Sequence, residues 1–226
     1  MKSFWLLICL SLGAISAHGD DKKVLLAGIE MMPYSGAHLP NQGVVVDLVR
    51  KALALEGWTL EIDFYPVARA TRLQTAGSVH GYLLATVNFQ VPSSLYSDPI
   101  IRGDIAFFSL QSNALPYQSP NDFADERVGS MAGWGAENMF KSLTWQTVSS
   151  PEQLFKMLRA GRISAFIYET NAFAYLVNKY DAGHQHRYKT LEPMVTPVEY
   201  GVSFAADHPR SADMVAALNS GLAKLR

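Results

Sequence analysis

The chain has 226 residues, of which 49% are hydrophobic, and this length suits one large domain or two small ones. Its 19 Lys and Arg residues nearly balance its 20 Asp and Glu residues, so it lacks the positive charge that recognition of nucleic acid or an anionic membrane surface requires. The composition therefore predicts an ordinary globular protein that binds no nucleic acid.

The first 19 residues are typical of a secretory signal peptide. Lys2 supplies a positive charge, and residues 4–15 form an apolar stretch that is too short to span a bilayer comfortably. The alternative is an N-terminal core helix, which the charged run at residues 20–23 disfavours. Cys9 is the single cysteine and lies in this segment, so the exported chain would contain no disulfide. We predict a soluble, periplasmic protein.

Strand and helix patterns alternate along the first half of the chain. The segment 31–42 contains glycine and proline and is predicted to be a loop. Short apolar or alternating runs predict strands, and apolar residues at helical spacing predict helices that end at glycines. The predicted strands are 24–29, 59–64, 82–87 and 100–110, and the predicted helices are 44–57 and 68–76. Strand, helix, strand is the opening of a βαβ unit, so we expect a parallel sheet with helices against it.

The same pattern restarts after a polar, proline-marked stretch at residues 111–122, which is predicted to be a passage between lobes or a surface loop. Strands are predicted at 127–131, 164–168 and 200–205, and helices at 136–142, 151–160, 171–180 and 211–225. Two successive α/β patterns favour two lobes over one long sheet.

Several short motifs recur in an order that resembles a known family. They are Met32-Pro33-Tyr34, the run GVVVDL at 43–48, the run YSDP at 96–99, Val128-Gly129, the run LRAGRISAFI at 158–167, and Tyr200-Gly201-Val202 before a final helix. In order and spacing the sequence resembles the family 3 extracellular solute-binding proteins, which have the type II periplasmic binding protein fold.

The resemblance implies a two-lobed α/β fold, in which each lobe is a mostly parallel sheet flanked by helices and two crossovers form a hinge. Lobe 1 would comprise residues 22–109 plus 197–226, and lobe 2 residues 110–196. The implied function is capture of a small, amino-acid-like polar solute between the lobes. The implied partner is the membrane permease of an ABC importer, and a monomer is expected.

The resemblance also implies where the ligand is held. Many amino-acid-binding members place an arginine where this sequence has Gln90, which can donate a hydrogen bond but carries no charge. Arg69, in a segment that resembles an aromatic-Pro-x-x-Arg-Ala motif, could supply the charge instead. The alternatives for Arg69 are a solvated helix face and an ion pair within one lobe.

Glu169 stands where the family has an aspartate that binds the ligand's ammonium group, and the alternative is that it caps the helix that follows. The turn Gly133-Trp134-Gly135 stands where the family offers backbone N–H groups to the ligand, and the ring of Trp134 could cover it.

Tyr34, Tyr82 and Thr86 complete the predicted ligand contacts, and for Tyr34, Tyr82 and Trp134 core packing is an equally good interpretation.

The sequence favours binding over catalysis. It contains no nucleophile elbow, Walker loop, paired-cysteine zinc pattern or HExxH helix. The cluster of Asp181, His184 and His186 is interpreted as a polar loop rather than a metal site, and no cofactor is expected. Two alternatives stay open: a dehydratase-like enzyme on the same fold with Glu169 as general acid or base, and a degenerate solute sensor, which the glutamine at position 90 mildly supports.

Overall fold

The computed structural model describes residues 22–87, 93–113 and 115–226, so the predicted signal peptide and Gln90 lie outside the described residues. The strands are β1 Lys23–Gly28, β2 Thr59–Phe64, β3 Gly81–Thr86, β4 Ser94–Tyr96, β5 Ile101–Leu110, β6 Arg127–Met131, β7 Thr144–Val148, β8 Ala165–Glu169, β9 Tyr188–Thr190 and β10 Thr196–Ala205. The helices are α1 Val44–Leu55, α2 Val67–Thr75, α3 Ala136–Met139, α4 Pro151–Arg159, α5 Thr170–Tyr180 and α6 Ser211–Leu225. Three short 3-10 turns lie at Pro40–Gln42, Pro120–Phe123 and Gln185–Arg187.

Most predicted elements are confirmed, and the differences concentrate in short or polar segments. The helix α3 ends at Met139, well before the predicted residue 142, because Phe140 has left helical backbone angles. The strands β4, β7 and β9 were not predicted, since each is short and lacks a clear apolar run. The strand β10 begins at Thr196 rather than at residue 200, and it includes Pro197.

Two parallel ladders are joined by two long antiparallel strands. The order of the sheet is β2-β1-β3-β10-β5-β8-β6-β7, with β4 paired to β10 and β9 to β5. The predicted parallel pairing is confirmed for β1 with β2 and β3, and for β6 with β7 and β8. The hydrogen bonding nevertheless continues from one ladder to the other, so the two patterns form one sheet through β10 and β5.

The strand β5 changes its partner along its length. Its first part, from Ile101 to Ile105, pairs with β10, and its second part, from Ile105 to Phe108, pairs with β8. We call β1 to β4 with α1, α2 and α6 the first half of the molecule, and β6 to β9 with α3 to α5 the second half. The long strands β5 and β10 connect them.

One hydrophobic cluster contains buried residues of both halves, and each half also has close contacts of its own. In the first half, α1 buries Val45, Val49 and Leu53 and lies against α6. In the second half, the rings of Phe108 and Phe173 stack with centroids 3.7 Å apart, and Phe155 stacks on Phe173 at 5.8 Å. Within the described ranges, no helix has the length and apolar character needed to cross a membrane.

Candidate functional site

Glu169 ends β8 and begins α5, and its carboxylate is buried at the junction of the two halves. Only 1% of the residue is exposed. Its Oε1 accepts from the backbone N–H of Asn171 at 3.1 Å and the side-chain amide of the same residue at 3.0 Å, and its Oε2 accepts from the N–H of Ala172 at 2.7 Å. The Thr170 hydroxyl donates more weakly at 3.4 Å. The cap predicted as one alternative for Glu169 is therefore confirmed.

Gly103, in the connecting strand β5, makes room for this carboxylate. A Cβ atom at Gly103 would lie 2.4 Å from Oε1 of Glu169 and 3.1 Å from its Cδ. The pairing of Ile105 with Glu169 sets this approach, since it places the side chain of Glu169 across the neighbouring strand. The glycine at this position of the strand thus has a steric cause.

Tyr34 reaches the same carboxylate from the first half. Its hydroxyl donates to Oε2 of Glu169 at 3.2 Å. The backbone of Tyr34 is held by α1, because its carbonyl accepts from the N–H of Val45 at 2.9 Å. Gly43 has φ +104°, and a Cβ there would lie 2.4 Å from the Tyr34 carbonyl oxygen. Two motifs of the sequence, Met32-Pro33-Tyr34 and the run that begins at Gly43, are therefore in contact.

Burial, and to a smaller extent the Glu169 carboxylate, raises the pKa of two nearby phenols. Burial, and next the charge of Glu169, raise the pKa of Tyr34 from 10.0 to about 12. Burial raises the pKa of Tyr200 in β10 as well, with smaller contributions from Glu169 and Tyr34. Both phenols, neutral at physiological pH as ordinary phenols are, therefore also keep their protons at higher pH than usual.

Two further contacts join the halves. The Nζ of Lys179 on α5 lies 3.0 Å from the Sδ of Met32. Gly133, with φ +81°, lies against the first turn of α2, where an added Cβ would be 3.0 Å from the Ala68 nitrogen. We call these two contacts and the Tyr34–Glu169 hydrogen bond the seam.

The predicted turn at residues 133–135 contributes Gly133 to the seam. The ring of Trp134 is half-buried and packs on Tyr168 with centroids 4.8 Å apart. Gly135 has φ +79° and begins α3, whose four residues make a single turn of helix. The packing interpretation of Trp134 is thus supported, and this ring also borders the space next to Glu169.

Arg69, Tyr82 and Thr86 are not among the hydrogen-bond partners of Glu169. Arg69 is exposed on α2, with its guanidinium 4.9 Å from the centre of the Tyr65 ring. Tyr82 and Thr86 line a different cavity of about 460 Å³ between α2, β3 and β4. Burial raises the pKa of Tyr82 to about 12, helped by Tyr96. Gln90 lies outside the described residues, so its role stays a prediction.

The cluster of Asp181, His184 and His186 has a structural explanation. Asp181 accepts from the Tyr188 hydroxyl at 2.7 Å, and the His184 Nδ1 lies 3.1 Å from it. Across the part of the chain that the structure describes, no three His, Cys, Asp or Glu side chains are placed to hold a metal ion.

Sequence reasoning missed Gly103 and Tyr200 as members of the site. The sequence shows a glycine within the predicted strand 100–110, but only the register between β5 and β8 places Gly103 against the carboxylate. Tyr200 was noted as part of a strand, and its closeness to Glu169 follows from the position of β10 beside β5.

Neither a protein-family model nor a curated protein matches this sequence. Solved structures match it over most of its length. The GluR0 ligand-binding core from Nostoc punctiforme, in complex with L-glutamate, has a TM-score of 0.73 and 16% identity and covers 89% of this chain and 92% of its own. An amino acid ABC transporter substrate-binding protein from Streptococcus pneumoniae, bound to L-arginine, has a TM-score of 0.72 and 19% identity and covers 90% and 89%.

A histidine kinase sensor domain with similarity to periplasmic binding proteins has a TM-score of 0.76 at 16% identity and covers 91% of this chain and 90% of its own. The chain has the periplasmic binding protein fold. The two-lobed α/β fold class predicted from the motifs is thereby confirmed. At these identities the similarity shows the fold alone.

Proposed function

We propose that this protein is a solute-binding protein that closes its two halves around a small, amino-acid-like polar solute. The observation that carries the proposal is the seam, in which a buried carboxylate of the second half meets a tyrosine of the first half across the connecting strand. A ligand that touches both halves would stabilise this closed arrangement selectively. Proteins of the same fold are bound to L-glutamate and L-arginine, which supports an amino-acid-like ligand.

The lobes of this clamp would be residues 22–109 plus 197–226, and residues 110–196. The two crossovers of the hinge would be β5 and β10. The change of partner at Ile105 supports this assignment, because a strand that pairs first with the other connecting strand and then with the second half can bend between the two pairings. Opening would then separate Tyr34 from Glu169 without breaking either parallel ladder.

Glu169 is the proposed contact for a cationic group of the solute. Its Oε2 accepts one hydrogen bond from its own helix and one from Tyr34. The bond from Tyr34 is the one that a ligand ammonium group can replace, because its donor belongs to the opposite half. The turn at residues 133–135, Arg69 and Gln90 are proposed to contact the remainder of the solute, including an anionic group where it carries one.

Binding is a better proposal than catalysis. A general acid or base needs a site that can exchange a proton with the substrate. The carboxylate of Glu169, the residue that the enzyme alternative depends on, receives four hydrogen bonds from the first residues of α5 and a fifth from Tyr34. These bonds hold the carboxylate in one position and restrict its access, which suits a fixed contact.

We propose that the protein acts in the periplasm as a monomer after removal of residues 1–19, and that it delivers the solute to the permease of an ABC importer. A solute sensor is the second candidate, which the similarity to a histidine kinase sensor domain favours. Both roles use the same clamp, and they differ in the partner that contacts the closed form.

A thermal-shift screen of amino acids, polyamines and small organic acids tests the proposal. A bound solute at 100 times its dissociation constant adds about 2.7 kcal/mol to the free energy of unfolding, which raises the melting temperature. The solute must be recovered unchanged after incubation. Absence of any shift across the panel contradicts solute binding, and consumption of a solute that does bind supports the enzyme alternative instead.

A further inference from the structure

Two histidines of the first half lie together near the start of β1. His80 directly precedes β3, and His208 lies in the turn between β10 and α6. Their ring centroids are 4.6 Å apart, and both residues are partly buried. Tyr34 follows the opposite end of β1, so this pair of histidines is separate from the seam.

The side chain of His80 takes the place of a backbone acceptor in the sheet. Its Nδ1 accepts from the N–H of Leu25 in β1 at 3.0 Å, while its own N–H donates to the Leu25 carbonyl at 2.9 Å. Its carbonyl accepts from the N–H of Ala205, the last residue of β10, at 3.0 Å. His80 therefore ties the start of β1 to the end of β10.

His208 makes similar contacts at the start of α6. Its Nδ1 accepts from the N–H of Arg210 at 3.3 Å, and its carbonyl accepts from the N–H of Ser211 at 3.1 Å. Its own N–H donates to the Ala205 carbonyl at 3.3 Å. Ala205 thus links the two histidines, and both imidazoles use Nδ1 as an acceptor.

Acceptance at Nδ1 fixes the protonation state of each ring. A neutral imidazole has one donor and one acceptor nitrogen, so the single proton of each ring is on Nε2. A second proton must go to Nδ1, and on His80 it would point at the N–H of Leu25. Protonation of His80 therefore removes its bond to β1 and leaves the partly buried Leu25 N–H without an acceptor.

The surroundings of His80 do not compensate a positive charge. The His208 ring lies beside it, and the Arg210 guanidinium, which stacks on Trp58 at 4.6 Å from the ring centre, adds a permanent positive charge. Burial, and next the charges of His208 and Arg210, lower the pKa of His80 below its usual value of 6.5. The other charged residues on the surrounding elements are Lys23 on β1, which pairs with Glu61 at 2.9 Å, Arg69 and Arg72 on α2, Asp207 in the turn and Asp213 on α6.

Among the described residues, no carboxylate forms an ion pair with either imidazole of this pair. His184 of the second half provides the contrast, because its Nδ1 lies 3.1 Å from Asp181. A proton on His184 would gain a partner, whereas a proton on His80 would lose one.

We propose that His80 and His208 form an acid-sensitive clasp. At neutral pH the clasp joins the start of β1, the end of β10 and the start of α6, and protonation of His80 at acidic pH releases this end of the first half. Because the folded chain binds this proton less readily than the unfolded chain, the free energy of unfolding is unaffected well above pH 6.5 and falls as pH falls below that value. The clasp does not involve the solute, so it is independent of the proposed function.

Urea unfolding of the full chain near pH 7.5 and pH 5, on either side of the ordinary histidine pKa of about 6.5, tests the clasp. We expect the unfolding equilibrium constant to rise about tenfold more in the original chain than in His80→Asn, because loss of a hydrogen bond that leaves a donor buried costs about that factor. The Oδ1 of asparagine can replace Nδ1 as the acceptor and does not titrate. His38→Asn, at an exposed position, is the control and should keep the pH response of the original chain.

Two measurements on the original chain need no substitution. Nitrogen-15 NMR near pH 7.5 should report both rings as Nε2–H tautomers. Hydrogen exchange near pH 5, corrected for the intrinsic rate, should show lost protection in residues 23–28 and retained protection in α5. An Nδ1–H tautomer at His80, or an equal pH response in the original chain and His80→Asn, would overturn the clasp. If His38→Asn weakens the pH response as much as His80→Asn does, the effect belongs to total charge and the clasp is wrong.

Discussion

The α1–α6 contact and the seam both join separate parts of the molecule, and they do so by opposite means. At the α1–α6 contact the two helix backbones touch: a Cβ on Gly221 would lie 2.0 Å from the carbonyl oxygen of Ala52, and both residues are buried. At the seam, side chains reach across with single polar contacts, such as Tyr34 to Glu169 at 3.2 Å.

The difference indicates which contact is permanent and which can open. Close packing of two helices is stabilised by many small van der Waals contacts that are lost together on separation. The seam consists of two polar contacts and the approach of Gly133 to Ala68, and it loses less when it opens, because water replaces each polar partner. We therefore expect substitutions at the α1–α6 contact to affect stability most, and substitutions at the seam to affect ligand binding.

The largest expected effect belongs to Gly221→Val. The added side chain collides with the backbone of α1, so we expect the free energy of unfolding to fall by about 3 kcal/mol. Urea unfolding measures this change. Ala223→Val, at an exposed position of the same helix, is the control and should cost less than about 1 kcal/mol. A similar loss for both variants would show that helix propensity, and not the helix contact, causes the effect.

Glu169→Ala should have the next largest effect on stability and the largest on binding. It removes the cap of α5 and leaves buried donors without an acceptor, so we expect a loss of about 2 kcal/mol. Binding of any cationic solute found in the screen should be abolished. Glu152→Ala, which removes only a surface ion pair with Lys156, serves as the charge-matched control. Unchanged affinity in Glu169→Ala would remove this residue from the ligand site.

Gly103→Ala should have a smaller effect than Glu169→Ala on both stability and binding. The added methyl group displaces the Glu169 carboxylate, which can move toward the seam at a cost of about 1 kcal/mol. We expect affinity for a cationic solute to fall about tenfold, as calorimetry would show, which corresponds to 1.4 kcal/mol. Arg102→Ala, at the neighbouring exposed position, should change neither quantity by as much. Full affinity in Gly103→Ala would mean that the carboxylate position does not control binding.

Tyr34→Phe should have the smallest effect on stability, and this effect should depend on pH. The folded chain holds the pKa of Tyr34 at about 12, whereas the ordinary value is 10.0. Between these values the unfolded chain has lost the proton that the folded chain retains, so the free energy of unfolding falls as pH rises through this window. Tyr34→Phe removes this contribution.

Urea unfolding of both proteins near pH 9 and pH 11 measures the difference. The loss of stability between the two pH values should be smaller for Tyr34→Phe than for the original chain. Tyr96→Phe is a control at a tyrosine outside the seam. An identical pH response with and without the Tyr34 hydroxyl would show that this group is not shielded by the seam.

Local sequence patterns predicted most of the fold because its helices and parallel strands have strong periodicity. The helix α6 and the strands β2 and β6 were predicted with their observed bounds. The length of β10 could not be predicted, since its first part is polar and pairs only because β5 lies beside it. Pairing between distant segments is a property of the assembled sheet.

Only part of the site was predictable, because local motifs show single residues and not which distant residues meet. The positions of Glu169 and Tyr34 followed from motifs, and the structure brings both together. The contribution of Gly103 depends on the register of two strands that are far apart in the sequence. Tyr82 and Thr86 were also predicted to contact the ligand, and they line a separate cavity.

The distance between the two halves, measured with and without solute, tests the central claim most directly. Spin labels at Ala54→Cys on α1 and Ala174→Cys on α5, both exposed, report this distance in a chain with Cys9 replaced by serine. Pulsed electron resonance should show a broad or longer distance in the solute-free protein and a single shorter distance once a solute from the screen is bound. One narrow distance that a bound solute leaves unchanged would contradict a clamp that closes on its ligand.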